Sequence, residues 1–228
     1  MLFRSRRGPA PAAGARPATR ELQLEDYEGL FMDRAIHTGQ REMYSEMPQM
    51  PLYRRVLGSA FDTLPAPLAD LHNCVAQEKT AEGTALIETG KHPLARAIRF
   101  LFGFPKAGRD VPVRVIFRPV DGGELWQRDF AGTKFSSFQS DGKGRFDKLL
   151  LEKFGPVTVA LALVWEQDRL NLILRHWNIF GIPLPVFLGP NGKTYEYVAD
   201  GSFCFHVEIA HWLTGSIVKY QGRLTTVG

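Results

Sequence analysis

The apolar positions of the chain follow one period up to about residue 105 and another after it. From Pro51, Leu52, Val56, Ala60 and Leu64 recur at spacings of four, with Tyr53, Leu57 and Phe61 beside them, which predicts an amphipathic helix opened by proline. PAPLADLHN predicts a second, short one. GTALIETG, Gly83 to Gly90, reads as a strand. HPLARAIRFLFGFP then reads as a helix from Pro93 to Phe102, with Leu94, Ile98, Leu101 and Phe102 on its apolar face and Arg96 and Arg99 on the other. Gly103 and Pro105 stop it. A helix this apolar beside a sheet is expected to pack on or into it.

From Asp110 onward the period is two. VPVRVIFRPV, ELWQRDF, TKFSSFQSD, VTVALALVWEQ, LNLILRHWNIF, TYEYVAD, SFCFHVEIAHW and SIVKYQGRLTTV alternate. They are separated by turn signals such as Asp121-Gly-Gly123, Ala131-Gly132, Gly155-Pro156 and Asp200-Gly201. With RFDKLLLEKFGP this makes about nine or ten strands joined by hairpin-length links. Such a string of antiparallel strands can shed its edges by curving or closing. The expected fold is α+β: a strongly curved antiparallel sheet or β-barrel of about nine or ten strands with a small N-terminal helical cap. No βαβ alternation supports a parallel sheet, and GIPLPVFLGPNGK reads as a proline-rich break.

The domain reading places a disordered basic arm at 1–20, a loosely structured helical lead-in at 21–50 and a single domain at 51–228. The last divides into a helical cap at 51–73 and an antiparallel β domain at 82–228. Composition sharpens this division. The formal charge is +4, but Arg4, Arg6, Arg7, Arg16 and Arg20 lie in a first stretch without acids, and 4 − 5 leaves −1 for the rest. A folded part that is not basic argues against nucleic acid as a partner. The arm lacks the apolar run of a secretory signal, and no window is apolar for long enough to be a transmembrane segment. Cys74 and Cys204 are isolated, with no CxxC and no His/Cys cluster, so the expected setting is reducing and cytoplasmic, with no metal site and no cofactor.

One pattern points to chemistry. In ELWQRDF, Trp126, Arg128 and Phe130 fall on one face of a strand. In LNLILRHWNIF, alternation puts Ile173, Arg175 and Trp177 on one face and Leu172, Leu174 and His176 on the other. Two readings stand. Either this is the wet face of an antiparallel sheet, with arginine stacked on tryptophan, or Arg128 and Arg175 enter a cavity walled by Trp126, Phe130 and Trp177. In the cavity they would be neutralised by an acid such as Glu152, Glu208 or Asp129, or by an anionic ligand. Catalytic residues are not identified. Glu152 and His176 are the acid/base candidates, and there is no HExxH, GxSxG or GxGxxG.

PLYRRVLGSAFDTLPAPLADLH, ELWQRDFAGTKFSS, LLEKFGP, GIPLP, DGSFCF and IVKYQGRL, in this order, resemble the bacterial family catalogued as domain of unknown function 4166, from about Pro51 to Leu224. Trp126, Arg128, Glu152, Gly155, Pro183, Pro185, Asp200, Phe203, Tyr220 and Gly222 match its pattern, and the glycines and prolines among them read as turn residues. The resemblance implies no established activity and carries over no catalytic residue. Relatives are found alone or fused to a saccharopine-dehydrogenase-like oxidoreductase domain, and this chain has no room for a dinucleotide fold. The resemblance thus implies that any reductase activity would belong to a separate partner protein.

Three functions follow as expectations. The first is a binding module for a small amphipathic, lipid-like ligand with an acidic head. The second is a cofactor-independent isomerase, cyclase or hydrolase in the same cavity. The third is an accessory subunit of a separate oxidoreductase, which requires a large exposed apolar patch.

Overall fold

A computed structural model describes residues 50–227; the expected arm and nearly all of the expected lead-in lie outside the described residues. Helix α1, Leu52–Leu57, begins after Pro51 and ends at Gly58, whose φ of 60° and ψ of −135° no residue with a Cβ adopts readily. The stripe of fours therefore does not continue as one α-helix. A 3₁₀ turn, Gly58–Thr63, carries it on and still turns Phe61 inward, with Leu64 buried just beyond. Helix α2, Ala66–His72, follows Pro65 and buries Leu68 and Leu71.

Strand β1, Lys79–Thr89, starts at Lys79 rather than Gly83 because Ala81 is also buried in the alternation. Helix α3, Pro93–Leu101, is capped at its start by His92, whose Nδ1 accepts the Leu94 N–H at 3.2 Å. Ten further strands complete the chain: β2 Gly108–Val120, β3 Gly123–Phe130, β4 Thr133–Asp141, β5 Leu149–Phe154, β6 Val157–Glu166, β7 Arg169–Ile179, β8 Ile182–Leu184, β9 Thr194–Ala199, β10 Ser202–His211 and β11 Gly215–Val227.

The eleven strands form one sheet in which β6 also pairs with β7. That pairing closes ten of them into an antiparallel barrel and leaves β8 as a flap on the end of β7. The flap arises from a hairpin at Phe180 and Gly181, both at positive φ (52° and 79°), within the proline-rich break. Asp200 and Gly201 make the same kind of turn at 50° and 71°.

Where the barrel curls between β1 and β11, a Cβ on Gly83 would lie 1.9 Å from the Arg223 carbonyl oxygen, and one on Gly222 would lie 2.1 Å from that of Thr84. Gly222 is thus a close-approach residue inside a strand, not the turn residue its type suggested.

The inner face is largely apolar and the outer face carries charges, among them the cross-strand pairs Glu82–Arg114 (3.3 Å) and Glu88–Lys219 (3.1 Å). This is the reverse of a barrel whose outside meets lipid. No helix among the described residues is long and apolar enough to cross a membrane.

Antiparallel succession puts the turns β2–β3, β4–β5, β6–β7 and β9–β10 at one end, the floor. The turns β3–β4, β5–β6, β7–β8 and β10–β11, together with α3, lie at the other end, the mouth. Helices α1 and α2 close the floor. Arg55 donates to Asp141 Oδ1 from Nε (3.2 Å) and Nη2 (3.0 Å), the Cys74 thiol donates to the Phe117 carbonyl at 3.4 Å, and Lys79 Nζ donates to the Asp70 carbonyl. Burial pushes the Cys74 thiol up to about 11, so it stays protonated there.

At the mouth, α3 turns Ala95, Ile98 and Phe102 toward the core. Leu101, expected on that face, is exposed. Successive helical residues lie about 100° apart, so an inward Phe102 leaves Leu101 turned outward with Phe100.

Candidate functional site

The barrel encloses a cavity of about 480 Å³, within the range of small-molecule sites. Its wall is made by inward positions of the alternation, among them Val113, Val115, Val159, Leu172, Phe205 and Val207. Leu94, Ile98 and Phe102 of α3 line it at the mouth.

A compact polar cluster sits toward the floor. Arg128 points into the barrel, which answers why an arginine shares a face with Trp126 and Phe130. Its Nη1 donates to Ser137 Oγ at 2.8 Å and its Nη2 to Glu152 Oε1 at 3.2 Å. The same carboxylate oxygen accepts from Ser137 Oγ at 2.7 Å and Gln139 Nε2 at 3.0 Å. The guanidinium lies over the Trp126 ring at 4.9 Å and faces Phe135 at 5.4 Å.

Register explains the assembly. Glu124 stands opposite Gln139, and Gln139 opposite Glu152, so three polar side chains from three adjacent strands share one inward row. Arg128 reaches that row directly at Glu152 and also through Ser137. A buried ion pair needs such additional hydrogen bonds to offset the desolvation of both charges.

Beneath this row lies an aromatic stack. Tyr53 of α1 lies 3.6 Å, centroid to centroid, from the His72 ring and 6.1 Å from Trp126. His72 Nε2 is 2.6 Å from Glu196 Oε2. Trp126 Nε1–H donates to Glu124 Oε2 at 3.0 Å. Burial raises the Glu124 carboxyl above its ordinary value, against the lowering effects of the Trp126 hydrogen bond and His72. Burial raises the Tyr53 phenol well above its usual range, and the Glu196, Glu152 and Glu124 carboxylates add to this, so it is a neutral hydroxyl donor. Burial likewise pushes Tyr220, against Phe130 at 5.2 Å, up to about 12.

Among the described residues, Tyr53 Oη and Gln139 Oε1 are buried at the cavity without a hydrogen-bond partner, and Glu124 Oε1 and His72 Nδ1 are likewise unpaired. Unpaired buried polar atoms are uncommon and expensive, so this floor holds unused donor and acceptor capacity.

Of the residues singled out by alternation, Trp126, Arg128, Phe130, Glu152 and Trp177 come together around the cavity. Trp177 enters through the row Glu152, Val159, Trp177, with its Nε1–H donating to the Pro185 carbonyl at 2.9 Å.

Arg175 does not join them. The ladder passes from Ala160 opposite His176 to Leu161 opposite Leu174, so Arg175 is the extra residue of a β-bulge. The bulge resets the alternation: Leu172 and Leu174 share the inside with Trp177 and Ile179, and Arg175 and His176 are exposed. The face assignment for β7 is corrected accordingly. His176 contacts Phe146, at 5.3 Å, away from the cavity.

Tyr53, His72, Glu124, Gln139 and Glu196 were not anticipated. For three of them the signal was present: Glu124 lies two before Trp126, Gln139 lies two and four after Ser137 and Phe135, and Glu196 lies between Thr194 and Val198. Among the described residues no group of three or more His, Cys, Asp or Glu is placed to hold a metal ion.

The fold and cavity define a closed antiparallel β-barrel with an apolar lumen and a helix-capped polar floor. Residues 64–224 match the family described as Domain of unknown function (DUF4166), and the chain belongs to that family. No curated protein and no solved structure matches it.

Proposed function

We propose that the barrel is a binding module for a small, largely apolar molecule whose single polar end is neutral and carries a hydroxyl or similar group. The observation that supports this most directly is the pairing of an apolar lumen with an unpartnered donor, Tyr53 Oη, and an unpartnered acceptor, Gln139 Oε1, at its floor. A hydroxyl can accept from the first and donate to the second.

The acidic head expected from the sequence is less well supported. Arg175 lies outside the cavity, and Arg128 is already shared with Glu152. Glu124 and Glu196 add further carboxylates to the floor. Another anion there would be desolvated beside like charges. Glu152 also suits an anchor for Arg128 better than a proton-transfer group, because one of its oxygens already accepts three hydrogen bonds.

The test uses the neutral fluorophore N-phenyl-1-naphthylamine as a lumen probe, displaced by 1-decanol or by decanoate at neutral pH. Decanol should displace it about tenfold more effectively than decanoate, and Tyr53→Phe should narrow that preference while leaving probe binding intact. Failure of the probe to bind, or its persistence after the lumen is filled by Leu174→Trp, would reject the binding module. Preferential displacement by decanoate would restore the acidic head.

A further inference from the structure

We propose that the mouth of the barrel docks on the surface of an anionic lipid bilayer, with α3 and the β7–β8 and β10–β11 loops inserted at the interface. The inference rests on the outer rim and goes beyond the cavity ligand, since the residues that carry it face away from the lumen.

Apart from Met50 and Val227, every large hydrophobic residue that is exposed among the described residues belongs to the mouth end. Phe100 (89% exposed) and Leu101 project from α3, Phe180 (81%) and Ile182 from the β7–β8 hairpin, Phe187 from the turn beyond it, and Trp212 and Leu213 from the β10–β11 turn. These loops are held side by side. His211 Nε2 lies 3.1 Å from the Leu188 carbonyl, Asn191 bridges to Ala210, and the Gly90 N–H donates to the Ile217 carbonyl at 3.1 Å. Aromatic and aliphatic tips from three separate loops around one opening would be costly to hold in water and cannot bury one another.

Charge selects the occupant. The connection from Gly90 to Ala107 contains Lys91, Arg96, Arg99 and Lys106 and not one acid, although Glu88 and Asp110 flank it in β1 and β2. Lys91, Arg96 and Lys106 are exposed, and Lys193 is exposed beside the flap, where Glu208 accepts its backbone N–H at 3.5 Å. The segment from Phe180 to Gly192 also contains no acid. On the outer wall, by contrast, Arg114 and Lys219 are matched across strands by Glu82 and Glu88. Apolar tips interleaved with unmatched cations suit the interface of a bilayer bearing anionic headgroups. A protein partner's complementary face would instead meet one contiguous apolar patch with charges at its rim. The geometry also has a consequence for loading: Leu94, Ile98 and Phe102 line the lumen from the same helix that presents Phe100 and Leu101 outward. A docked α3 would therefore place the lumen against the acyl chains.

The full chain should be sedimented with phosphatidylcholine vesicles and with vesicles also containing phosphatidylglycerol, with brominated lipid used to quench tryptophan. Binding is expected only with the anionic lipid, with quenching that falls in Trp212→Phe. The pairs Phe100→Ser with Leu101→Ser, and Lys91→Glu with Arg96→Glu, should each weaken partitioning about tenfold or more. All these side chains are exposed, so melting temperatures should not move, and decanol displacement in solution should stay as in the parent protein.

Three outcomes would overturn the proposal. The parent chain could fail to bind anionic vesicles. Binding could survive both pairs of substitutions, which would assign it to the arginines of the first twenty residues. Sedimentation velocity could show a self-association abolished by the Phe100/Leu101 pair without vesicle binding, which would make the rim an interface between copies.

Discussion

The floor and the mouth of this barrel contain similar side chains in opposite circumstances. At the floor, Leu52, Tyr53, Leu68 and Leu71 are buried because two short helices lie across the strand ends and are tied to β3, β4 and β9 by stacking and hydrogen bonds. At the mouth, Phe100, Leu101, Phe180, Phe187 and Trp212 are as apolar but are covered by nothing within the described chain. Charge differs in the same sense. Arg128 at the floor is matched by Glu152, Ser137 and two aromatic faces, whereas Lys91, Arg96 and Lys106 at the mouth stand among apolar tips in a connection that contains no acid. The difference shows that residue type does not distinguish a structural end from an interacting one. What distinguishes them is whether the chain satisfies its own groups.

The floor is most sensitive at Arg128. Arg128→Leu leaves Glu152 buried without its cation and should destabilise the fold by about 3–5 kcal/mol in denaturant unfolding. Arg128→Leu combined with Glu152→Leu should recover most of that loss, because removing both charges also removes their desolvation. A double variant as unstable as the single one would mean that Ser137 and Gln139, not charge balance, hold the floor together.

A matched truncation sets the two ends against each other. Leu68→Ala at the floor should cost about 2–5 kcal/mol, and Leu101→Ala at the mouth less than about 0.5 kcal/mol. Equal losses would show that Leu101 is covered in the folded chain.

The smallest expected effect is one of pH. Burial raises the Glu124 carboxyl, so its unfolded form ionises first as pH rises from below 4.5. Stability is then complete below the unfolded value and falls as pH climbs through the folded one. Glu124→Gln keeps an acceptor for Trp126 Nε1–H without that charge. The variant should melt higher than the parent at neutral pH and coincide with it at about pH 4. A variant that melts lower at neutral pH would mean that the ionised carboxylate stabilises the floor.

Much of this molecule was legible before folding. Alternation along VPVRVIFRPV, ELWQRDF and TKFSSFQSD, broken at Asp121-Gly-Gly123 and Ala131-Gly132, is enough for antiparallel hairpins, because side-chain period and turn chemistry are local. The same period of two put Trp126, Arg128 and Phe130 on one face, and they do share the lumen. It misplaced Arg175 because a bulge adds one residue to β7 opposite β6, and nothing within LNLILRHWNIF marks that insertion. Leu101 escaped for a related reason, since a helix with apolar residues on most of its circumference does not reveal which arc meets the sheet.

Local pattern therefore carried the elements, their order and the inward set of each regular strand, all of which follow from bond geometry and the 2.0 and 3.6 periods of the backbone. The pairing of β1 with β11, which closes the succession of hairpins into a ring, and the stacking of Tyr53 beneath Trp126 join residues far apart in the chain, and the row Glu124, Gln139, Glu152 needs the registers of three strands at once. Such contacts depend on register and on how far a twisted sheet must turn to remove its edges, and only the folded barrel settles those together.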